Sequence, residues 1–214
     1  MEAAGLRHLQ GRLSRKEQEE LLAAVLAGVE AAGGWFRPVM PRSGRPFSIV
    51  IANLGELGWI SDLRGYRYTP LHPETGRRWA PIPAPLLGLW RELADYPDPP
   101  ECCLVNLYRP GSRLGLHRDE DEETFEAPIV SVSLGDSAIF RIGGATRRAP
   151  SRRIELRSGD VLVMAGPSRL AYHGIDRILP GTGDLVPGGG RISLTLRRVR
   201  RSAGLQPPSR GSRP

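Results

Sequence analysis

The residues of this chain best suited to chemistry sit in NLYRPGSRLGLHRDEDEE, residues 106–123. His117, one of four histidines, stands two positions before Asp119, the first of five consecutive acids. In an extended segment that spacing puts imidazole and carboxylate on one face, about two residue rises apart. Such a pair can chelate a metal ion, but two ligands are too few. His8 precedes the first helix and His72 sits in a proline-flanked turn, so His173, after the strand in RLAYHGI, is the best third ligand. Two histidines and one carboxylate with open positions are the ligand set of non-haem iron(II) oxygenases. On its own, His-x-Asp also arises by chance, and His173 reads more readily as a core histidine at a strand end.

A second constellation lies in RISLTLR, residues 191–197. Period-two alternation puts Arg191, Ser193, Thr195 and Arg197 on one face and Ile192, Leu194 and Leu196 in a packed layer. The two arginine Cα atoms would stand about 20 Å apart on a straight strand. Guanidinium binds carboxylate bidentately, so two such arms could grip both ends of a short dicarboxylate. A solvated strand face in an arginine-rich chain is an equally good reading of the strand alone.

These groups need a scaffold. Residues 14–31 read as a helix, with Ser14 and Glu17 at capping-box spacing and Leu21, Leu22, Val25, Leu26 and Val29 on one stripe. A second helix is expected over 84–94. Short strands are expected over 48–53, 102–107, 129–134, 138–142, 153–157, 160–165 and 191–199. Many short strands behind leading helices predict a double-sheet β core with helices on one side. The Ser-, Pro-, Gly- and Arg-rich tail from Arg200 is expected to be disordered.

Composition narrows the class. The 214 residues are 40% hydrophobic and 25% charged, as in soluble globular proteins, and suit one domain. No apolar run approaches a bilayer span, and MEAAGLRHLQ lacks the features of a secretory signal; a cytoplasmic location with no membrane partner is expected. The net charge of +7 would suit a polyanion, yet Lys16 is the only lysine, and the abundance of Arg, Ala, Gly and Pro reads equally as codon bias. Adjacent Cys102 and Cys103 point to opposite strand faces and form no zinc pattern, so two buried, reduced thiols are expected.

Taken together, NLYRPGSRLGLHRDEDE, APIVSVSLGDSAIFRIGG, SGDVLVMAGPSRLAYHGI and RISLTLR resemble the AlkB family of iron(II)- and 2-oxoglutarate-dependent dioxygenases, in order and spacing, from about Asn53 to Val199. LGWISDLRGYRYTPLHPETGRRWAPIP, residues 57–83, resembles the substrate-side segment of the family's bacterial members. The resemblance implies an α+β fold: a double-stranded β-helix, or jelly-roll, core with flanking N-terminal helices and a nucleotide-recognition lid. It implies a single domain over 1–199, with the N-terminal helix and nucleotide-recognition region over about 35–100, the catalytic core over 101–199 and the tail over 200–214.

By the same resemblance, His117, Asp119 and His173 would hold iron(II). Arg191 would bind the distal carboxylate of 2-oxoglutarate, with Tyr108 donating a hydrogen bond, and Arg197 and Asn106 would lie near the carboxylate that chelates the metal. Trp59 and Tyr66 would line a nucleobase pocket, Trp59 stacking on the base across from His117. Asp121 would read the base edge, with Glu122 adding negative charge, and Arg147 would lie near the nucleic acid. With dioxygen as the other co-substrate, the implied reaction is oxidative demethylation of 1-methyladenine or 3-methylcytosine in alkylated single-stranded DNA by a monomer, giving succinate and formaldehyde. The alternatives are a demethylase or hydroxylase acting on RNA or tRNA, and a non-catalytic module that binds damaged DNA. Two departures bear on this. The family usually carries asparagine where Ser193 stands, so a contact to 2-oxoglutarate is lost or water-mediated. Glu120 replaces a basic residue of the bacterial members and would repel a phosphate. Removing His117 or Asp119 is expected to abolish turnover and leave the fold largely intact.

Overall fold

In the computed structural model, which describes residues 4–202, the chain begins with strand β1 (Leu6–Leu9) and helix α1 (Arg15–Ala32). The capping box forms: Glu17 Oε2 accepts the Ser14 N–H at 2.8 Å and Ser14 Oγ accepts the Glu17 N–H at 3.3 Å. Gly33, at φ 115°, ends the helix in the left-handed region. There follow β2 (Val50–Gly55), the hairpin β3 (Gly58–Asp62) and β4 (Gly65–Thr69), and α2 (Ala84–Leu93). The remaining strands are β5 (Cys102–Tyr108), β6 (Leu114–His117), β7 (Ile129–Gly135), β8 (Ser137–Ile142), β9 (Arg152–Leu156), β10 (Val161–Met164), β11 (His173–Leu179) and β12 (Arg191–Arg197).

The strands form a six-stranded sheet, β1-β10-β7-β12-β5-β2, and a four-stranded sheet, β6-β11-β8-β9, all antiparallel. This is the expected jelly-roll. Alternation along each strand of the large sheet feeds two cores. Val105, Val130, Val132, Ile192, Leu194 and Leu196 pack against α1 and α2, with Trp90 of α2 almost wholly buried. Cys102, Leu104, Tyr108, Ile129 and Leu162 face the small sheet and meet Phe140, Ile142 and Ile175. The two cysteines are free and buried, and adjacent positions send Cys103 to the helix side and Cys102 to the inter-sheet side. The polar face of β12 therefore points between the sheets, where register sets Arg191 opposite Tyr108 and Ser193 opposite Asn106.

Five features escaped the sequence reading. His8 lies on β1, where its Nε2 meets Asp160 Oδ2 at 2.8 Å. The β3–β4 hairpin and β6 are additional strands, and His173 opens β11 instead of following a strand. A register shift between Ile175 and Arg177 breaks the alternation of β11, and β6 is only four residues long. At the start of the expected tail, the Arg200 N–H donates to Glu101 Oε2 at 2.8 Å and Ser202 Oγ lies 2.9 Å from the Tyr96 hydroxyl; residues 203–214 lie outside the described residues.

The hairpin is seated by Asn53, whose Oδ1 accepts the Trp59 N–H and whose Nδ2 donates to the Trp59 carbonyl, both at 3.0 Å. Gly58 makes that approach possible: a Cβ there would lie 2.4 Å from Trp79 Cε2 and 2.7 Å from Asn53 Cβ. Gly58→Ala is expected to lower stability by about 1–3 kcal/mol through overpacking, read as a lower urea midpoint with an unchanged slope.

Candidate active site

β6 and β11 pair so that His117 and His173 stand directly opposite. Their ring centroids are 4.5 Å apart. Each ring's Nδ1 meets a carbonyl two residues back, Gly115 O at 2.9 Å and Ala171 O at 3.0 Å. A carbonyl only accepts, so Nδ1 carries the proton and the Nε2 lone pair is left free. Both Nε2 atoms face Asp119: His117 at 3.6 Å from Oδ1 and His173 at 3.7 Å from Oδ2. One ligand atom from each residue falls within a 4.8 Å cluster. Burial, with His117 beside it, holds the His173 pKa down at about 4, keeping that ring a neutral ligand at physiological pH. Burial alone would raise the Asp119 carboxyl, but Arg197, the two histidines and Arg169 hold it well below the usual range. Two imidazoles offering Nε2 and one firmly ionised carboxylate are the donor set iron(II) takes.

Asn106, Tyr108, Arg191, Ser193 and Arg197 line one cavity with these three residues, between the sheets. Arg191 is fully buried, its guanidinium 5.4 Å from the Tyr108 ring centroid. Nη2 donates to Ser133 Oγ at 2.9 Å, whereas Nε and Nη1 are buried without a partner. A buried cation in that state is costly until an anion joins it, and burial lowers its pKa accordingly. A carboxylate of 2-oxoglutarate fits that requirement. Arg197 lines the same cavity as Arg191, with its Nη2 2.9 Å from Asp119 Oδ2 and its Nη1 3.4 Å from Glu122 Oε1. Ser193 Oγ meets Ser131 Oγ at 3.2 Å.

Trp59, Tyr66, Asp121 and Arg147 line a second cavity, of about 390 Å³, whose wall also includes His117, Asp119, Asn106 and Arg197. Trp59 and Tyr66 stack at 5.5 Å and 18°. Trp59 Nε1 donates to Asp121 Oδ2 at 2.8 Å. Burial raises the Asp121 pKa, and the Trp59 bond offsets this only in part. Glu122, which the resemblance implied would add negative charge here, is sealed away: its side chain is fully buried, and its Oε2 lies 3.2 Å from Arg169 Nη2.

Asp119, Glu122, Arg169 and Arg197 thus form a buried, charge-balanced group. Arg169 also donates to the Asp119 carbonyl at 2.8 Å and the Ala127 carbonyl at 3.0 Å. Tyr68 of the hairpin donates to Glu122 Oε1 at 2.5 Å and accepts from Arg197 Nη1 at 3.1 Å. Neither Tyr68 nor Arg169 is singled out in the sequence analysis; nothing local marks either. The expectation of an intact fold after ligand removal therefore changes for one residue. Asp119→Ala leaves a buried guanidinium uncompensated and is expected to destabilise by about 3–5 kcal/mol. His117→Ala, at a third-exposed side chain, should lower stability by under about 1 kcal/mol. Urea denaturation of both variants, alongside metal titration in which both lose binding, checks this.

Comparison with known proteins agrees with the geometry. A model of the 2OG-Fe(II) oxygenase superfamily matches residues 5–197. An alpha-ketoglutarate-dependent dioxygenase AlkB homolog of Caulobacter vibrioides is 55% identical over 190 residues, 89% of this chain and 86% of that protein. The alpha-ketoglutarate-dependent dioxygenase AlkB of Escherichia coli is 44% identical over 150 residues, 68% of this chain and 69% of that protein. The solved structure of OsALKBH1 superposes with a TM-score of 0.74 at 29% identity, covering 92% of this chain and 100% of that one. With this much of each bacterial relative matched, and with the fold shared, the chain belongs to the AlkB family of the 2OG-Fe(II) oxygenase superfamily.

Proposed function

We propose that this iron(II)- and 2-oxoglutarate-dependent dioxygenase removes N-methyl groups from 1-methyladenine and 3-methylcytosine in single-stranded DNA. The supporting observation is that the two cavities share the wall containing His117 and Asp119. One cavity holds a buried cation lacking an anion, and the other an aromatic platform beside a carboxylate. With iron(II), 2-oxoglutarate and dioxygen bound, decarboxylation of the co-substrate to succinate and carbon dioxide supplies the oxidant that hydroxylates the N-methyl carbon, and the hydroxymethyl product releases formaldehyde.

The geometry supports the following contributions from the protein's own residues. His117 Nε2, His173 Nε2 and an Asp119 oxygen would hold the metal. Arg191 would take the distal carboxylate over the Tyr108 ring, with the Tyr108 hydroxyl donating, while Asn106, Ser193 and Arg197 line the path to the metal. The target base must leave its stack to reach this depth. Trp59, held edge-on by Asp121 and stacked on Tyr66, offers the face that receives it. An alkylated base of this class is cationic and its product neutral, so Asp121 favours entry of the lesion over retention of the product. Arg147 lies at the mouth, where the strand would pass. Residues 1–199 would act as one cytoplasmic, monomeric catalytic unit, with about 35–100 supplying base recognition and 101–199 the chemistry. No helix among the described residues is long and apolar enough to cross a membrane.

RNA is the competing substrate: a tRNA demethylase, abh1 of Schizosaccharomyces pombe, is 40% identical over 82 residues, 38% of this chain and 27% of that protein. Matched single-stranded DNA and RNA oligonucleotides, each bearing one 3-methylcytosine, decide between them. Incubated with iron(II), 2-oxoglutarate, ascorbate and air, the DNA should lose the methyl group by mass spectrometry and keep it when EDTA is present. Faster loss from RNA would reassign the substrate; loss from neither, with tight DNA binding, would leave only a binding module. Trp59→Ala should weaken capture of the methylated oligonucleotide by about 1–3 kcal/mol if the ring stacks on the base, and an unchanged Kd would remove that role. Ser193→Asn should tighten 2-oxoglutarate binding in a calorimetric titration, since an amide adds a donor beside Asn106.

A further inference from the structure

Two arginines at the cavity mouth rest on one aromatic ring. The guanidinium carbon of Arg118 lies 5.1 Å from the Tyr172 ring centroid, and that of Arg147 lies 5.2 Å from it. All three residues line the larger cavity with His117. Arg147 is anchored from below, donating Nη1 to the Leu116 carbonyl. Holding two guanidiniums on one ring sets like charges close together, a repulsive arrangement unless an anion joins them. The described residues show a single side-chain partner there: Glu120, which pairs with Arg118 Nη2. Arg118 Nε is buried and has no partner. Asp121, the neighbouring acid in this wall, is engaged by Trp59.

We propose that Arg118 and Arg147, braced by Tyr172, form a site for a backbone phosphate of the strand whose base enters the cavity, and that Glu120 is a built-in anion that the phosphate displaces. The proposal rests on the nucleic-acid reading above. A base flipped toward His117 leaves its backbone at the mouth, and the planar guanidinium fork takes phosphate as readily as carboxylate. Glu120 is half exposed, so it can swing into water when exchanged. The exchange makes Glu120 a specificity residue. A strand that presents phosphate alone only exchanges one anion for another at Arg118, whereas a strand that also delivers a base adds contacts to Trp59 and Asp121 to that exchange.

Fluorescence anisotropy tests this with wild type, Arg118→Ala, Glu120→Gln and the double variant. Each is loaded anaerobically with iron(II) and 2-oxoglutarate and titrated with a single-stranded oligonucleotide bearing one 3-methylcytosine across a salt series. Arg118→Ala is expected to weaken binding about tenfold and to flatten the slope of log K against log salt by about 0.7, the loss of one phosphate contact on a single strand. Glu120→Gln is expected to strengthen binding several-fold in the wild-type background and far less in Arg118→Ala, because its effect runs through Arg118. Arg118→Lys should keep the slope while losing part of the affinity, which separates lost charge contact from misfolding. An unchanged slope in Arg118→Ala overturns the phosphate site. An equal gain from Glu120→Gln in both backgrounds reduces Glu120 to long-range repulsion and overturns the exchange. Wild-type demethylation, read in parallel by mass spectrometry, reports on the function separately. Turnover without a slope change sinks the phosphate site alone, and a slope change without turnover sinks the demethylase reading alone.

Discussion

Two carboxylates and two guanidiniums sealed between the sheets govern the centre of this molecule. Asp119 is at once the carboxylate of the metal cluster and a member of this group, so its position is fixed by Arg197 and Arg169 before any metal arrives. Each charge has a partner of opposite sign within 3.4 Å. Without that, burial would push Asp119 toward its neutral form, a poor ligand. A charge-balanced cluster of this kind contributes little net stability over an apolar core. What it contributes is a carboxylate that is ionised, oriented and unable to turn away from the two imidazoles.

The same group reaches outward. Residues 119, 121 and 122 hold three different partners: the imidazoles, Trp59, and the Tyr68–Arg197–Arg169 set. The hairpin that carries the aromatic platform is therefore bonded, through Asp121 and Glu122, to the segment that carries a metal ligand. The aromatic pair and the metal-ligand set are tied to one backbone stretch of four residues, which gives four of the five consecutive acids a partner. Asp119 serves the metal cluster, Asp121 the indole, Glu122 the buried arginines, and Glu120 the arginine at the rim.

Some of this was readable from sequence and some was not, for physical reasons. The polar face of β12 followed from strict period-two alternation in RISLTLR, and α1 from its capping box and apolar stripe. His117 and Asp119 were legible because their relation is local. The cross-strand pairing of His173 with His117 was not, since β6 is short and the shift between Ile175 and Arg177 erases the strand pattern; elimination among the four histidines and the family resemblance pointed to His173 without it. The β3–β4 hairpin turns through Leu63 and Arg64, which lack the Asn-Gly or Asp-Gly signal of a tight turn. Partnerships such as Tyr68 with Glu122 and Arg197 with Glu122 span 54 and 75 residues, and no periodicity encodes pairs at that distance. Resemblance supplied which residues cluster. It did not supply that Arg197 would be held by Asp119 and Glu122, or that both arginines would keep buried donors without a partner.

The placement of Cys102 and Cys103 on opposite faces of one buried strand has a chemical consequence for an enzyme that handles dioxygen beside iron. Burial pushes the Cys102 thiol up to about 12 and that of Cys103 well above its ordinary value. At neutral pH both therefore stay as thiols, not as the thiolate that oxidants attack. The strand that carries Asn106 and Tyr108 into the site also carries the chain's only two sulfhydryls, and keeps both as inert packing atoms. Stray oxidant escaping the metal centre meets neither a nucleophile there nor a pair of sulfurs able to couple.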